Sequence, residues 1–185
     1  WEKKKLKGNE LKGKKIGIIG FGNVGKKVAE ISYALGMKVF IYSSYFNSIK
    51  DNFKNYDSSD LTNILSNSDI ISFHCKPNKD GSSIITKDEF NMMKKNCILV
   101  NTARGGLINE TDLIQALKNN VIKGAALDVF KKEPLEESEL FNLENIILTP
   151  HIAASTDEAQ IVVAEMVANQ FCEYFKNNKI VNSIT

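Results

Sequence analysis

Among its 24 basic residues the 185-residue chain has a single arginine, and it holds only three cysteines, three prolines, two histidines and one tryptophan. Each scarcity excludes something. Cys75, Cys97 and Cys172 are far apart and form no CxxC pair, which rules out a zinc ribbon and argues against a disulfide framework. No metal site is expected. No apolar run approaches the ~18 residues that a membrane helix needs. With 24 basic against 22 acidic residues the net charge is +2, too even for a dedicated nucleic-acid or membrane surface. Lys3, Lys4 and Lys5 lead into no apolar stretch, so no secretory pattern is present and the cytoplasm is the default location. The chain opens on Trp1 rather than Met, and further sequence is expected upstream. The lone arginine, Arg104, stands against a background of lysine and invites a reason.

What is present is a globular composition, 43% apolar and 25% charged, long enough for one domain with a full core. Short apolar runs alternate with longer amphipathic stretches. Strands are expected at 16–19, 39–42, 70–73, 98–100, 125–129 and 146–148. Helices are expected at 24–35, 61–65, 87–93, 110–118 and 157–175. In the first helix the apolar Val24, Val28, Ile31 and Leu35 fall at helical spacing, and Gly36 ends it. Asp60 caps the second, Asn119 and Asn120 stop the fourth, and Ser155 or Thr156 caps the last. Residues 43–59 read as polar and irregular, and 1–13 as a solvated, Lys-rich lead-in. Strands alternating with helices imply βαβ units, hence an α/β fold with a doubly wound parallel sheet.

Gly20-Phe21-Gly22-Asn23-Val24-Gly25 is a GxGxxG between an expected strand and an expected helix. That context is what a dinucleotide-binding turn requires. The first glycine allows the tight turn, the second lets backbone approach a pyrophosphate, and the third lets helix and strand pack closely. The helix N-terminus then faces the phosphates with unpaired N–H groups. An acidic residue about 20 positions on would hold the adenosine ribose. Ser43 stands there instead, between Tyr42 and Ser44. It neither repels a 2′-phosphate nor, lacking a following arginine, attracts one. NAD is favoured and NADP stays possible.

Three further stretches follow expected strands, where open α/β sheets bind ligands. Arg104 lies in Asn101-Thr102-Ala103-Arg104-Gly105-Gly106, Glu133 after Asp128, and His151 in Thr149-Pro150-His151-Ile152-Ala153-Ala154. Arginine can clamp a carboxylate with two parallel hydrogen bonds. Histidine can take a hydroxyl proton, and a carboxylate on its other ring nitrogen favours the imidazolium. The set suits oxidation of a 2-hydroxy acid. Each residue alone has an ordinary alternative: a surface ion pair for Arg104, part of an acidic run for Glu133, a loop histidine for His151.

The stretches 11–25, 101–110, 124–134 and 148–160 together resemble the cofactor-binding domain of the D-isomer-specific 2-hydroxyacid dehydrogenases. Their NTARGG, ALDVF and HIAAST segments are most similar to the D-3-phosphoglycerate dehydrogenase subfamily. The resemblance implies a Rossmann-like NAD-binding domain over 1–185, with a separate substrate domain that precedes it and is absent here. It implies catalytic Arg104, Glu133 and His151, and cofactor contacts at Asn23, Val24, Ser43, Cys75, Thr102, Ala103, Arg104, Asp128, His151 and Ala154, beside Gly20, Gly22 and Gly25. It implies a small 2-hydroxy or 2-keto acid as substrate, a homodimer through the cofactor domain, and little turnover by this piece alone. Related activities are glyoxylate or hydroxypyruvate reduction and D-lactate oxidation, and some relatives act as NADH-sensing corepressors. Two departures stand out: Ser43 for the usual Asp, and His74-Cys75-Lys76-Pro77, whose proline falls one place late.

Overall fold

The computed structural model describes residues 8–182; the start of the Lys-rich lead-in, 1–7, lies outside the described residues. The chain divides into two compact units, Trp1–Pro150 and His151–Thr185.

The first unit is built on a seven-stranded sheet. Its strands are β1 (Lys15–Ile19), β2 (Lys38–Tyr42), β3 (Tyr56–Ser58), β4 (Ile70–Phe73), β5 (Ile98–Asn101), β6 (Gly124–Leu127) and β7 (Ile146–Leu148). All pair in parallel, in the order β3-β2-β1-β4-β5-β6-β7. The chain winds outward from β1 to β3, then crosses back to β4 and winds the other way. This is the expected doubly wound, Rossmann-like fold, with its switch point between β1 and β4. Successive strand residues face opposite sides. Ile16 and Ile18 join a cluster with Ala29, Val39 and Ile41, while Ile19 joins one with Ile71, Phe73 and Leu99.

Six strands were expected, and seven are found among the described residues. The additional strand, β3, lies in the stretch read as irregular, which also holds the short helix α2 (Phe46–Ile49) and a 3-10 turn at Lys50–Asn52. Its order comes from Phe46, Phe53 and Tyr56, which pack with Phe21. Three aromatic residues at irregular spacing carry no periodic signal, so only their tertiary partners reveal the element.

Helix α1 (Asn23–Ala34) forms where expected but buries a different face. Gly25, Ala29 and Ser32 are buried, while Val24, Ile31 and Leu35 are 62%, 59% and 52% exposed. Small residues at i, i+4 and i+7 let the helix lie close on the sheet; the larger stripe would hold it away. The other helices follow the sequence more closely. Asp60 caps α3 (Leu61–Asn67) by accepting the Asn63 N–H at 2.7 Å. Thr86 precedes α4 (Lys87–Met92). Asn109 caps α5 (Glu110–Lys118), and Asn119 ends it before Asn120 turns left-handed at φ 52°. In the second unit Thr156 caps α6 (Asp157–Asn177), its hydroxyl accepting the Ala159 N–H at 3.1 Å.

Asp69, just before β4, ties three segments together. It accepts the Lys15 N–H at 2.9 Å, the Lys94 ammonium at 2.5 Å and the Asn96 amide at 3.3 Å. Burial pushes its carboxyl up, but the donors of Lys15, Lys94 and Asn96 together outweigh burial and hold it below the usual carboxylate value. The folded state therefore binds this proton less tightly than the unfolded state. The stabilisation is complete above the unfolded value of ~3.9 and fades as pH falls through the lower folded one. Asp69→Asn is expected to cost about 1–3 kcal/mol at pH 7, read from urea midpoints. Its gap from the wild type should close on acidification below about pH 4. A gap of equal size at pH 3 and pH 7 would refute the assignment.

Candidate dinucleotide-binding and catalytic site

The glycine turn joins the end of β1 to α1, and each of its three glycines has a different surrounding. Gly20 has φ 98°, its N–H donates to the Tyr42 carbonyl at 2.9 Å, and a Cβ there would collide with the His74 carbonyl. Gly25 is buried with its α-carbon against the Gly20 carbonyl, where a Cβ has no room. A Cβ on Gly22 would meet no protein atom within 4 Å. These are the three environments that the tight turn, the close helix packing and the ligand approach respectively demand. Gly22, Asn23 and Val24 are exposed at the tip of the turn. Phe21 anchors the turn from behind, edge-on to Phe46 at 4.7 Å and to Phe53 at 5.0 Å. The Tyr45 hydroxyl donates to the Phe21 carbonyl.

Two clefts open along the C-terminal ends of the strands. The larger, about 980 Å³, is lined by Gly20, Gly22, Ser43, Asp60, Cys75 and Lys76, among others. The smaller, about 250 Å³, is lined by Val24, Cys75, Lys76, Thr102, Ala103 and Arg104 together with His74. Most of the residues implied as cofactor contacts in the first unit thus line one cleft or the other. The sequence reading missed Asp60, Asn63, Lys76 and Asn78 on the larger cleft. The signal for Asp60 was available in part, since a residue just past a strand end faces the ligand edge. It required β3, which the pattern did not show.

His74 serves the frame. Its Nε2 lies 2.9 Å from the Ser72 hydroxyl, and burial pushes its pKa below the ordinary histidine value, so it is neutral at pH 7. Burial raises the Cys75 thiol above its usual range, which favours the protonated form.

Buried polar side chains fix the loops that carry Arg104 and Glu133. Asn101, at the end of β5, donates from its amide to the Arg104 carbonyl at 2.9 Å and accepts the Ala103 N–H at 3.0 Å. The Asp128 N–H donates to the Asn101 carbonyl at 2.9 Å, and the Asp128 carboxylate accepts the Thr149 hydroxyl at 2.5 Å. Three strand ends are joined in this way. Glu133 accepts the Phe130 N–H at 2.8 Å and precedes Pro134 through a cis peptide bond. Gly105 packs so tightly on the Phe130 carbonyl that no Cβ could be inserted. The Arg104 loop and the Glu133 loop therefore abut, with both candidate side chains exposed. The Arg104 guanidinium donates to the Ala103 carbonyl at 2.6 Å. His151 and Ala154 belong to the second unit, and His151 has a left-handed backbone at φ 54°.

A switch-point glycine turn opening onto a cleft at the strand ends defines a dinucleotide-binding Rossmann domain, and the three glycine environments fit a bound pyrophosphate. Comparison with known proteins makes the class specific. Residues 1–153 match the model of the D-isomer specific 2-hydroxyacid dehydrogenase NAD binding domain. The chain belongs to this family. It is 38% identical over its whole length to a D-3-phosphoglycerate dehydrogenase of Archaeoglobus fulgidus, of which it covers 35%. Over 95% of its length it is 39% identical to a glyoxylate reductase of Thermococcus litoralis, of which it covers 53%. Among solved structures, an acyclic imino acid reductase in complex with NADPH and D-arginine is similar at 36% identity and a TM-score of 0.85. That match spans 96% of this chain and 55% of the other. The chain thus spans between a third and about half of these relatives.

Gly22→Ala separates binding from folding. The added methyl meets only open space in the protein, so stability should fall by less than about 1 kcal/mol, the difference between glycine and alanine at a helix cap. Titration with NADH should nevertheless show affinity reduced about tenfold or more, because that methyl occupies the phosphate approach. Unchanged affinity would remove Gly22 from the binding surface.

Proposed function

We propose that the whole protein interconverts a D-2-hydroxy acid and its 2-keto acid, with Arg104, Glu133 and His151 as the catalytic residues. The abutment of the Arg104 and Glu133 loops through Gly105, beside the clefts, carries this reading. The sole arginine of the chain, exposed at a strand end, is suited to hold a substrate carboxylate bidentately. His151 takes the hydroxyl proton during oxidation and returns it during reduction. Glu133 is the proposed carboxylate for that histidine, in the role of setting its tautomer and favouring the imidazolium. When bound, the nicotinamide dinucleotide supplies the two-electron chemistry. Asn23, Val24, Cys75, Thr102, Ala103, Asp128 and Ala154 complete its contacts. NAD is the proposed cofactor.

The proposed substrate is D-3-phosphoglycerate, oxidised to 3-phosphohydroxypyruvate at the entry to serine synthesis. The similarity to the Archaeoglobus fulgidus enzyme supports it. Glyoxylate or hydroxypyruvate reduction is the second reading, supported by an equally similar glyoxylate reductase. We further propose a cytoplasmic homodimer, and a substrate domain outside this chain that closes the cleft against water.

The test is a screen of the full-length protein with NADH and NADPH against 3-phosphohydroxypyruvate, hydroxypyruvate, glyoxylate and pyruvate. Turnover is expected to be fastest with 3-phosphohydroxypyruvate. Faster turnover of glyoxylate would select the second reading, and no turnover of any keto acid would overturn both. Arg104→Lys, which keeps the charge but loses the fork, should lower kcat/KM about 100-fold. His151→Gln should lower kcat by about 10²–10⁴. The 185-residue chain alone should bind NADH yet turn over far more slowly than the full-length protein.

A further inference from the structure

Ser43 leaves the adenosine end of the larger cleft without the carboxylate that usually stands after β2. The neighbouring strand carries one. β2 and β3 pair with Val39 opposite Tyr56, Phe40 opposite Asp57 and Ile41 opposite Ser58. The Ser59 N–H still donates to the Ile41 carbonyl at 2.9 Å. Ser43 follows the end of β2 and Asp60 lies just past the end of β3, on neighbouring strands of the sheet. Both residues line the same cleft. From this juxtaposition we propose that Asp60 supplies the missing carboxylate and makes the cleft select a dinucleotide with a free 2′-hydroxyl over one with a 2′-phosphate. The proposal rests on the dinucleotide-binding reading above.

The details of Asp60 fit the role. One carboxylate oxygen accepts the Asn63 N–H at 2.7 Å, which holds the side chain in place. Its other oxygen has no protein partner among the described residues and can accept from a ribose hydroxyl. Asp60 is also the one carboxylate lining this cleft among the described residues. The charge of opposite sign is Lys76. It lines both clefts and so stands at their junction, where a pyrophosphate would cross. Asp60 lines the larger cleft alone. The anion therefore lies at the ribose end and the cation at the middle. The hydroxyls of Ser43, Ser44, Ser58 and Ser59 around Asp60 are neutral and leave its charge to decide. A 2′-phosphate would bring up to two negative charges toward this carboxylate, and two charges facing a third across ~6 Å of water cost about tenfold in affinity.

Asp60→Asn tests this cleanly, because asparagine caps a helix as well as aspartate does and keeps the shape while removing the charge. Dissociation constants for NADH and NADPH would be measured by calorimetry on the full-length protein. The wild type should bind NADH about tenfold or more tightly than NADPH, and less selectively in high salt. Asp60→Asn should narrow the ratio about tenfold, chiefly through tighter NADPH binding. Asp60→Ser, a third good cap, should do the same, and keeps the test open if the first variant is poorly folded. Lys76→Met should weaken both dinucleotides by similar factors. A wild type that prefers NADPH, or a ratio unmoved by both Asp60 variants, would overturn the proposal. Binding of neither dinucleotide by the wild type would instead overturn the reading beneath it.

Discussion

Helix α1 lies so close to β1 that only glycine fits between them, and the geometry of the ligand edge depends on that approach. Gly25 presses on the Gly20 carbonyl while Gly20 presses on the His74 backbone at the end of β4. The turn is thus held from two sides, by its own helix and by the strand across the switch point. Ala29 and Ser32 continue the close contact along the helix. The phosphate-approach surface at Gly22 stays open because everything behind it is filled. The neutral His74 belongs to this filling; its burial disfavours a charge that would sit directly behind the turn.

Local patterns made most of the frame legible. The buried strands announced themselves as short apolar runs, and caps at Asp60 and Thr156 marked helix starts. The glycine turn was readable because its three roles are local. Two features were not readable, for different reasons. Val24, Ile31 and Leu35 of the apolar stripe of α1 pointed outward, with Val28 alone packing partly on the core, because the sheet required small residues, so size outweighed hydrophobicity at that interface. The segment from Phe46 to Tyr56 gains its order from Phe21, inside the glycine turn and some 25 residues earlier in sequence. No period within the segment encodes that contact. Missing β3 also hid Asp60 from the cleft, since its place follows from pairing with β2.

The candidate catalytic residues were legible as types at strand ends, but the means of fixing their loops was not. The strand ends carry two buried polar side chains, Asn101 and Asp128, whose hydrogen bonds join the ends of β5, β6 and β7. A buried polar group costs free energy unless satisfied, and here each bond made also positions a loop. The exposed Arg104 is consequently mounted on a buried support. Glu133 is held differently, through a bond to the Phe130 N–H within its own turn.

The two edges of the sheet divide stability from chemistry. At the N-terminal edge Asp69 gathers the start of β1 and the Lys94–Asn96 turn into one charged knot, every donor of which serves the fold. At the C-terminal edge the ionic side chains that face the clefts, Asp60, Lys76 and Arg104, are exposed, and the protein gives them few partners. Asp60 gives one oxygen to its helix cap and Arg104 one N–H to a neighbouring carbonyl. Desolvating these groups within the fold would have cost more than pairing them returned. Leaving them in water keeps their charge available to a ligand, and the cost of desolvation is deferred to the moment a ligand arrives to satisfy it. A parallel sheet favours this division, because strand-to-helix connections gather at one edge, where loops can vary, and helix-to-strand connections at the other, where they need only be tight.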